Sequence, residues 1–261
     1  MYIEQTNSTN TLIKEMVARG EPFPDEPIWI ITGYVRAGYQ TAGRGQAGNG
    51  WESEPNKNLL CSILMDISRW HLSLSPFCLN MTVCNAIHQL VGSLLSQAGV
   101  SKKKLSIKWP NDIYWGDKKL AGILIENMYD GCEIRHMIAG IGLNVNQTEF
   151  KSDAPNPVSL KQITGRDYDL DKLMNRLLSV LDKALMESGE EYYKAHLYRK
   201  GGYWPFVERE VTTEPTMNAD QQTEGQFMAQ IEDILADGEI VLKDQEGKER
   251  IYHFKQIRYV V

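Results

Sequence analysis

The segment 108–112 has the sequence Lys-Trp-Pro-Asn-Asp and brings a cation, an amide and a carboxylate to the end of a predicted strand. Because side chains alternate across a strand, Lys108 and Trp109 point to opposite faces. Trp109 can therefore anchor in the core and leave Lys108 facing a cleft, while Pro110 ends the strand. Asp112 could hold a metal ion or orient Lys108. Taken alone, a turn that carries a surface lysine explains this segment about as well.

A glycine-rich stretch at 36–56 shows no periodicity and predicts a long loop with one cation and one aromatic, Arg44 and Trp51. Backbone amides freed by glycine can bind phosphate oxygens, Arg44 can bind a phosphate or a carboxylate, and Trp51 can stack on a nucleobase. No helix and no Gly-Lys-Ser/Thr follows, which argues against a dinucleotide fold and a P-loop. By itself, a mobile surface loop with a packed tryptophan is an equally good explanation.

Three shorter segments carry polar groups or glycines where a pocket would need them. Lys119 enters an apolar strand, where a charge is costly without an anionic partner, although an edge-strand lysine that opposes aggregation is the alternative. Gly122 weakens the same strand unless a ligand or backbone comes close. The small residues of 139–146 leave room for a ligand, and Asn144 offers a donor and an acceptor. The Ser-Thr-Asn sequence at 8–10 offers hydroxyl and amide groups, but helix capping explains it well alone.

The composition limits the classes of function. The 261 residues are 42% hydrophobic and 24% charged, which is typical of a globular protein that buries a core without disulfides. The net charge of -6 disfavours non-specific nucleic-acid binding. The four cysteines form no C-x-x-C pair, and neither a signal peptide nor a membrane-length apolar run is present. We therefore expect a soluble cytoplasmic protein that binds neither nucleic acid nor membranes.

The apolar periodicity predicts an α+β protein with two domains, at 1–201 and 202–261. In the first domain, helices are expected at 6–20, 76–98 and 169–198, and strands at 29–35, 58–65, 105–109, 112–115, 119–127 and 132–146. In the second domain, short strands separated by turns are expected at 205–212, 225–234, 238–243 and 249–259. The second set is typical of a small β-barrel of SH3-like size.

In order and spacing, these motifs resemble those of the biotin–protein ligases. The shared motifs are Ser-Thr-Asn at 8–10, Gly-Arg-Gly at 43–45 with Gly-Asn at 48–49 and Trp51, Lys-Trp-Pro-Asn-Asp at 108–112, Lys-Leu-Ala-Gly-Ile-Leu at 119–124 and Gly-Ile-Gly-Leu-Asn at 140–144. The resemblance covers essentially the whole chain. It implies a catalytic domain with a mixed β-sheet flanked by helices, of the class II synthetase-like biotin/lipoate ligase type, and a C-terminal SH3-like β-barrel.

The resemblance also implies a reaction. Biotin and ATP, with Mg²⁺, would form biotinyl-5′-AMP and pyrophosphate, and biotin would pass to a lysine of a biotin carboxyl carrier protein or domain, as in acetyl-CoA carboxylase. The chain begins at the catalytic domain, so a repressor role is not expected. A lipoate–protein ligase and a non-catalytic sensor of biotinyl-AMP are the alternatives. The sequence does not decide between a monomer and a homodimer.

The roles that the resemblance implies fall into four groups, named here by position in this chain. Catalytic groups are Lys108, Lys119 and Arg44. Contacts to biotin are Ser8, Thr9, Asn10, Gln40, Arg44, Gly45, Gln46, Lys119, Gly122 and Gly140. Contacts to ATP are Arg44, Trp51, Lys108, Asn111, Asn144 and Arg258, and Asp112 is the Mg²⁺ ligand. Many family members carry Arg at the position of Gln46, so the loop lacks one cation there.

Overall fold

The computed structural model describes residues 1–23, 29–69, 75–151, 156–187, 189–209 and 225–260. Its strands are β1 (Tyr2–Thr6), β2 (Ile31–Gln40), β3 (Leu59–Asp66), β4 (Leu105–Lys108), β5 (Asp112–Trp115), β6 (Lys118–Asp130), β7 (Glu133–Leu143), β8 (Trp204–Glu208), β9 (Gly225–Ile234), β10 (Ile240–Asp244), β11 (Glu249–Tyr252) and β12 (Ile257–Tyr259). Its α-helices are α1 (Thr9–Ala18), α2 (Pro76–Gln97), α3 (Leu160–Thr164), α4 (Leu170–Leu185) and α5 (Glu190–Ala195). In these ranges, no helix is long and apolar enough to cross a membrane.

Seven strands form one mixed sheet in the order β1-β2-β3-β7-β6-β5-β4. β1 pairs with β2 in parallel, and the other neighbours are antiparallel. One face packs against α2 and α4 and forms the main hydrophobic core. The opposite face packs against α1 through a smaller cluster that includes Ile13, Val35 and Ile138. The predicted mixed sheet flanked by helices is confirmed.

The remaining strands form a five-stranded antiparallel sheet in the order β11-β10-β9-β8-β12. This sheet stands where the small C-terminal barrel was predicted. It contacts the first unit at several points: Trp109 Nε1 donates to Gly238 O at 2.9 Å, and the rings of Tyr198 and Tyr259 lie 5.8 Å apart. The second sheet therefore abuts the segment 108–112. The boundary at 201/202 stays a prediction.

The sequence analysis differs from the structure at several elements. β1 and α3 were not predicted, and the strand expected at 249–259 is two strands. The helix expected at 169–198 is interrupted before Gly189, whose carbonyl accepts a hydrogen bond from Asn85 Nδ2 at 2.6 Å. Glycine weakens a helix interior by about 1 kcal/mol, and a packed Asn85 leaves no room for a side chain there. The loop expected at 36–56 begins only after Gln40, because β2 continues between β1 and β3. Part of the strand expected at 205–212 lies outside the described residues.

Candidate active site

A row of paired residues crosses the sheet on the face that carries α1. Lys108 is paired with Asp112, Asp112 with Gly122, and Gly122 with Gly142. Directly opposed residues of antiparallel strands project from the same face. The charged groups of Lys108 and Asp112 therefore stand beside a floor at Gly122 and Gly142 that has no side chains. This explains the interruption of an apolar strand by Gly122.

The indole of Trp51 lies on this glycine floor. A Cβ atom at Gly142 would overlap the indole, and one at Gly122 would lie 2.9 Å from its Cζ3 atom. Lys119 Nζ lies 5.7 Å from the centroid of the ring and 2.8 Å from Asp112 Oδ2. The indole Nε1 is buried and has no hydrogen-bond partner. The strand lysine thus has the anionic partner that the sequence analysis required, and the loop tryptophan reaches the same place.

Lys108 sits among tyrosines. Its Nζ donates to Tyr114 Oη at 3.0 Å and lies 5.2 Å from the ring centroid of Tyr259 in β12. Burial lowers the pKa of Lys108 to about 8, while the charge of Asp112 raises it and that of Lys119 lowers it. A lysine with this pKa is mainly protonated at neutral pH and loses its charge in mildly alkaline solution.

The turn after Lys108 is anchored from three directions. Trp109 is buried, as predicted from strand alternation, and its indole donates to the second sheet at Gly238. The Trp109–Pro110 peptide bond is cis. The Pro110 carbonyl accepts from Asn80 Nδ2 of α2 and from Tyr193 Oη of α5, both at 2.8 Å. These contacts fix the strand end that carries Lys108.

Asn111 and Asn144 take different roles. The Asn111 amide is buried and donates to the carbonyl of Ile123, so it braces β6 from the turn. Asn144 is also buried, and its Nδ2 donates to Val158 O at 3.2 Å. Its Oδ1 has no hydrogen-bond partner. A buried acceptor without a partner is uncommon in folded proteins, and Oδ1 is therefore available to a ligand.

A polar pocket lies at the start of α1. Ser62 Oγ donates to Thr9 Oγ1 at 2.6 Å and to Asn10 Oδ1 at 2.5 Å. The Gln40 carboxamide oxygen accepts from the Thr9 backbone at 2.7 Å and from its hydroxyl at 3.1 Å. The Asn10 amide packs directly on Gly140, because a Cβ there would overlap it. Thr9, Asn10, Gln40 and Gly140 are thus brought together as predicted, and Ser62 is a member that sequence reasoning missed.

Ser8 occupies the N-cap position of α1 in an extended conformation, but its side chain makes no capping hydrogen bond. It is 4% exposed and precedes Thr9 and Asn10. Simple capping, which explained the Ser-Thr-Asn segment well in the sequence alone, does not account for its hydroxyl. Its predicted contact to biotin stays a prediction.

The glycine loop reaches this pocket through Arg44. Its Nη2 lies 3.1 Å from Glu126 Oε1, and the same carboxylate accepts from Lys14 Nζ at 2.7 Å and from Asn10 Nδ2 at 2.8 Å. Burial raises the pKa of Glu126, but the bonds to Lys14 and Asn10 outweigh it and the net pKa is lowered. Glu126 was missed in the sequence. The available signal is that side chains alternate along a strand, so Glu126 projects from the same face of β6 as residues 122 and 124.

Gly45 and Gln46 lie further along the loop. The Gly45 amide donates to Asn49 O at 2.6 Å, and Gln46 begins a short 3-10 helix at Gln46–Gly48. Gln46 lines a cavity of about 370 Å³ together with Pro110 and Phe254. Its Oε1 is buried without a partner. Gln46 therefore faces the turn at 108–112 and the second sheet.

Arg258 lies on the exposed side of β12, opposite to Ile257 and Tyr259, which are buried. In β12, the residue described in contact with Lys108 is Tyr259. A contact between Arg258 and ATP stays a prediction. Tyr259 was not singled out in the sequence, since nothing local distinguishes it from a core tyrosine.

The donor set is compatible with a magnesium ion that arrives with a nucleotide. Within the described ranges, no group of three or more His, Cys, Asp or Glu could hold a metal ion. Asp112 contributes one carboxylate beside Lys108 and Lys119. Mg²⁺ is commonly held by one or two carboxylates together with phosphate oxygens and water, so a lone carboxylate next to two lysines is compatible with that mode.

Comparison with known proteins places the chain in a family. Residues 2–144, more than half of the chain, match the model of the biotin/lipoate A/B protein ligase family. The chain therefore belongs to that family. The proteins to which the chain is similar include biotin protein ligases.

One such relative is the bifunctional ligase/repressor BirA of Bacillus spizizenii, 29% identical over 228 residues, which cover 84% of this chain and 63% of BirA. Another is the biotin–(acetyl-CoA-carboxylase) ligase of Mycobacterium tuberculosis, 28% identical over 71% of this chain and 63% of that protein. The chain thus spans just under two thirds of the length of these relatives. The fold matches that of the Aquifex aeolicus biotin protein ligase in complex with biotin and ATP, with a TM-score of 0.71, 21% identity and coverage of 100% of this chain and 98% of the other.

Proposed function

We propose that this chain is a biotin–protein ligase. It activates biotin with ATP to biotinyl-5′-AMP, releases pyrophosphate and transfers biotin to a lysine of a biotin carboxyl carrier protein or domain. The observation that carries the proposal is the meeting, on one face of the sheet, of the Thr9–Asn10 pocket, the glycine floor and three cations. The names of the Mycobacterium tuberculosis and Aquifex aeolicus relatives support the choice of biotin, ATP and acceptor.

The polar pocket suits the head group of biotin. A ureido group presents one carbonyl and two N–H groups, and the pocket offers hydroxyls at Thr9 and Ser62, a carboxamide at Gln40 and an amide at Asn10. Gly140 lets the Asn10 amide lie directly on the sheet, in the same pocket. Fixed donors and acceptors select a ligand that matches them, because a mismatched ligand leaves buried polar groups unpaired.

The cations act on the first chemical step. A carboxylate that attacks the α-phosphate brings two anions together, and fixed positive charges reduce that repulsion in the transition state. Lys108, Lys119 and Arg44 supply those charges in this proposal, and Asp112 would hold the Mg²⁺ ion, which adds positive charge at the phosphates when bound. Lys108 is held by Tyr114 and by the anchored turn, so little reorganisation is needed.

Two buried polar atoms without partners indicate where the nucleotide binds. These atoms are Trp51 Nε1 and Asn144 Oδ1. Trp51 stacks on adenine in this proposal, while the glycine loop orders over the mixed anhydride and excludes water. No covalent enzyme intermediate is required, because the acceptor lysine attacks the activated carbonyl directly and displaces AMP.

The decisive experiment supplies the protein with ATP, Mg²⁺, biotin and a biotin carboxyl carrier domain. We expect the mass of the acceptor to rise by one biotin. Lipoate with its own carrier domain replaces biotin in a parallel sample, and pyrophosphate release is followed in both. Pyrophosphate release in the lipoate sample, without release in the biotin sample, would favour a lipoate–protein ligase. Tight binding of biotinyl-AMP without transfer to any acceptor would favour a sensor.

We place this reaction in the cytoplasm. The four cysteines are free, and Cys61 and Cys84 are buried, which is typical of a reducing compartment. A homodimer remains the alternative to a monomer, and sedimentation of the purified protein with and without biotin and ATP decides between them.

A further inference from the structure

The glycine loop is tied to the sheet by a carboxylate. Arg44 Nη2 lies 3.1 Å from Glu126 Oε1, and Arg44 Nη1 donates to Thr11 Oγ1 at 3.5 Å. The Arg44 side chain is 48% exposed, while that of Glu126 is 15% exposed. The loop cation can therefore exchange partners at the surface, whereas the strand carboxylate stays in place.

Glu126 can release Arg44 without becoming an unpaired buried charge. Lys14 Nζ remains 2.7 Å from Oε1, and Asn10 Nδ2 remains 2.8 Å from Oε2. Both of these partners belong to α1 and not to the loop. Removing every partner from a buried charge is strongly destabilising, but losing one of three costs much less. Because Glu126 has three partners, it can lose its contact with Arg44 and still be paired.

The same carboxylate orients the pocket. Because Asn10 donates its Nδ2 to Glu126, its Oδ1 must face Ser62 Oγ and the backbone at Gly140. Glu126 therefore touches both the residue that lines the pocket and the cation of the loop. These contacts form a direct path between the filling of the pocket and the position of the loop.

We propose that Glu126 is a positioning residue that holds Arg44 while the pocket is empty and gives it up to the carboxylate of the incoming acid. This inference rests on the proposed function, since the acid is biotin. Two carboxylates then compete for one guanidinium group, of which only Nη2 contacts Glu126. The exchange involves no covalent bond, and it releases Arg44 from the sheet only when a substrate carboxylate is there to receive it.

This exchange is tested by calorimetry, with which the affinity for biotin is compared with the affinity for its uncharged primary amide. The ratio of the two affinities measures what the carboxylate contributes. In Glu126→Gln, which keeps an acceptor for Asn10, the ratio should rise about two- to fivefold, the range expected for a partly exposed ion pair. In an Arg44→Ala background, Glu126→Gln should leave the ratio unchanged. A rise that persists without Arg44 would show plain long-range repulsion and overturn the proposal, as would no rise at all.

Trypsin cleavage after Arg44, followed by mass spectrometry, tests the pairing without any ligand. The bond Arg44–Gly45 should be cut about two- to fivefold faster in Glu126→Gln than in the unaltered protein. Lys14→Gln is the matched control, because it removes another partner of the same carboxylate and leaves Arg44 paired, so its rate should not increase. Equal rates in Glu126→Gln and the unaltered protein overturn the inference.

The two experiments separate this inference from the proposed function. If the unaltered protein binds neither biotin nor its amide, the proposed function is wrong, and the trypsin rates alone then decide whether Glu126 holds Arg44. If it binds both and modifies the acceptor, but the ratio in Glu126→Gln equals that of the unaltered protein, the proposed function stands and the inference is wrong.

Discussion

The two ends of the candidate site differ in how completely the protein satisfies its own polar groups. At the acid end, Thr9, Asn10, Gln40 and Ser62 are joined by hydrogen bonds of 2.5–3.1 Å. At the nucleotide end, Trp51 Nε1 and Asn144 Oδ1 are buried without partners. A pocket that is already hydrogen-bonded binds its ligand with little rearrangement, while unpaired buried groups are satisfied only when a ligand arrives. In the proposed ligase, the acid end is therefore prepared in advance, and the nucleotide end is completed by the substrate.

The largest effect that this comparison predicts comes from Lys108. Lys108→Ala should slow formation of the adenylate by about 10²-fold or more, the cost of removing a preorganised charge-stabilising group. Biotin affinity should stay close to normal, because Lys108 does not contact the acid pocket. Pyrophosphate release and biotin calorimetry measure the two quantities. Lys103→Ala, at an exposed lysine, is the control. A near-normal rate of pyrophosphate release would remove Lys108 from the mechanism.

A pair of glycine substitutions should affect the two ends separately. Gly140→Ala places a methyl group against the Asn10 amide, and Gly142→Ala places one against the indole of Trp51. Overpacking of this kind costs about 1–3 kcal/mol, or roughly a tenfold to hundredfold loss of affinity. We expect the KM for biotin to rise in the first variant and the KM for ATP to rise in the second.

Each glycine variant is the control for the other. Thermal unfolding of both variants shows whether the fold is retained. Equal effects of both substitutions on both substrates would contradict the division of the site into two ends.

Asn144→Ala should produce a smaller effect, at the nucleotide end only. The loss of one hydrogen bond to a ligand is worth about 0.5–1.5 kcal/mol, so the KM for ATP should rise about two- to tenfold while the affinity for biotin does not change. Steady-state pyrophosphate release and biotin calorimetry measure this. Asn146→Ala removes a similar amide that donates to Tyr168 O, and it should leave the KM for ATP unchanged. A larger loss of affinity for biotin than for ATP would contradict the assignment of Asn144 to the nucleotide end.

An effect of similar size concerns pH. The pKa of Lys108 is lowered to about 8 by burial, so raising the pH from 7 to 9 removes its positive charge. Adenylate formation should slow by about tenfold, while biotin affinity stays constant because the net pKa of Glu126 is lowered and it remains ionised. Rate profiles of pyrophosphate release show the decline. Lys108→Arg should be slower overall but flat over this range, since arginine keeps its charge. A decline of the same shape in that variant would assign the titration to another group.

Sequence reasoning succeeded where the determining interactions are local. Strand alternation alone placed Trp109 in the core and Lys108 on the opposite face, and the apolar run after Ser75 gave α2 within one residue of its observed end. It failed where partners come from distant parts of the chain. Glu126 is informative only because Asn10, Lys14 and Arg44 surround it, at separations of 82 to 116 residues. Within β6, the only local signal is its position on the same face as residues 122 and 124.

The same limit applies to the aromatic residues around the turn. Tyr193 and Tyr259 look like ordinary core tyrosines in the sequence, yet one anchors Pro110 and the other lies against Lys108. Resemblance to a family supplied the order of the motifs. It did not supply these contacts, since they come from α5 and β12 and not from the motifs.

The residues that anchor the turn at 108–112 are synthesised at different times. Asn80 leaves the ribosome before the turn, but Tyr193 and Gly238 follow it by 83 and 129 residues. A nascent chain that has just exposed β7 already contains the polar pocket and the glycine floor, while the peptide carrying Lys108 still lacks two of its supports. In the proposed ligase, synthesis therefore completes the acid pocket before it completes the supports of Lys108.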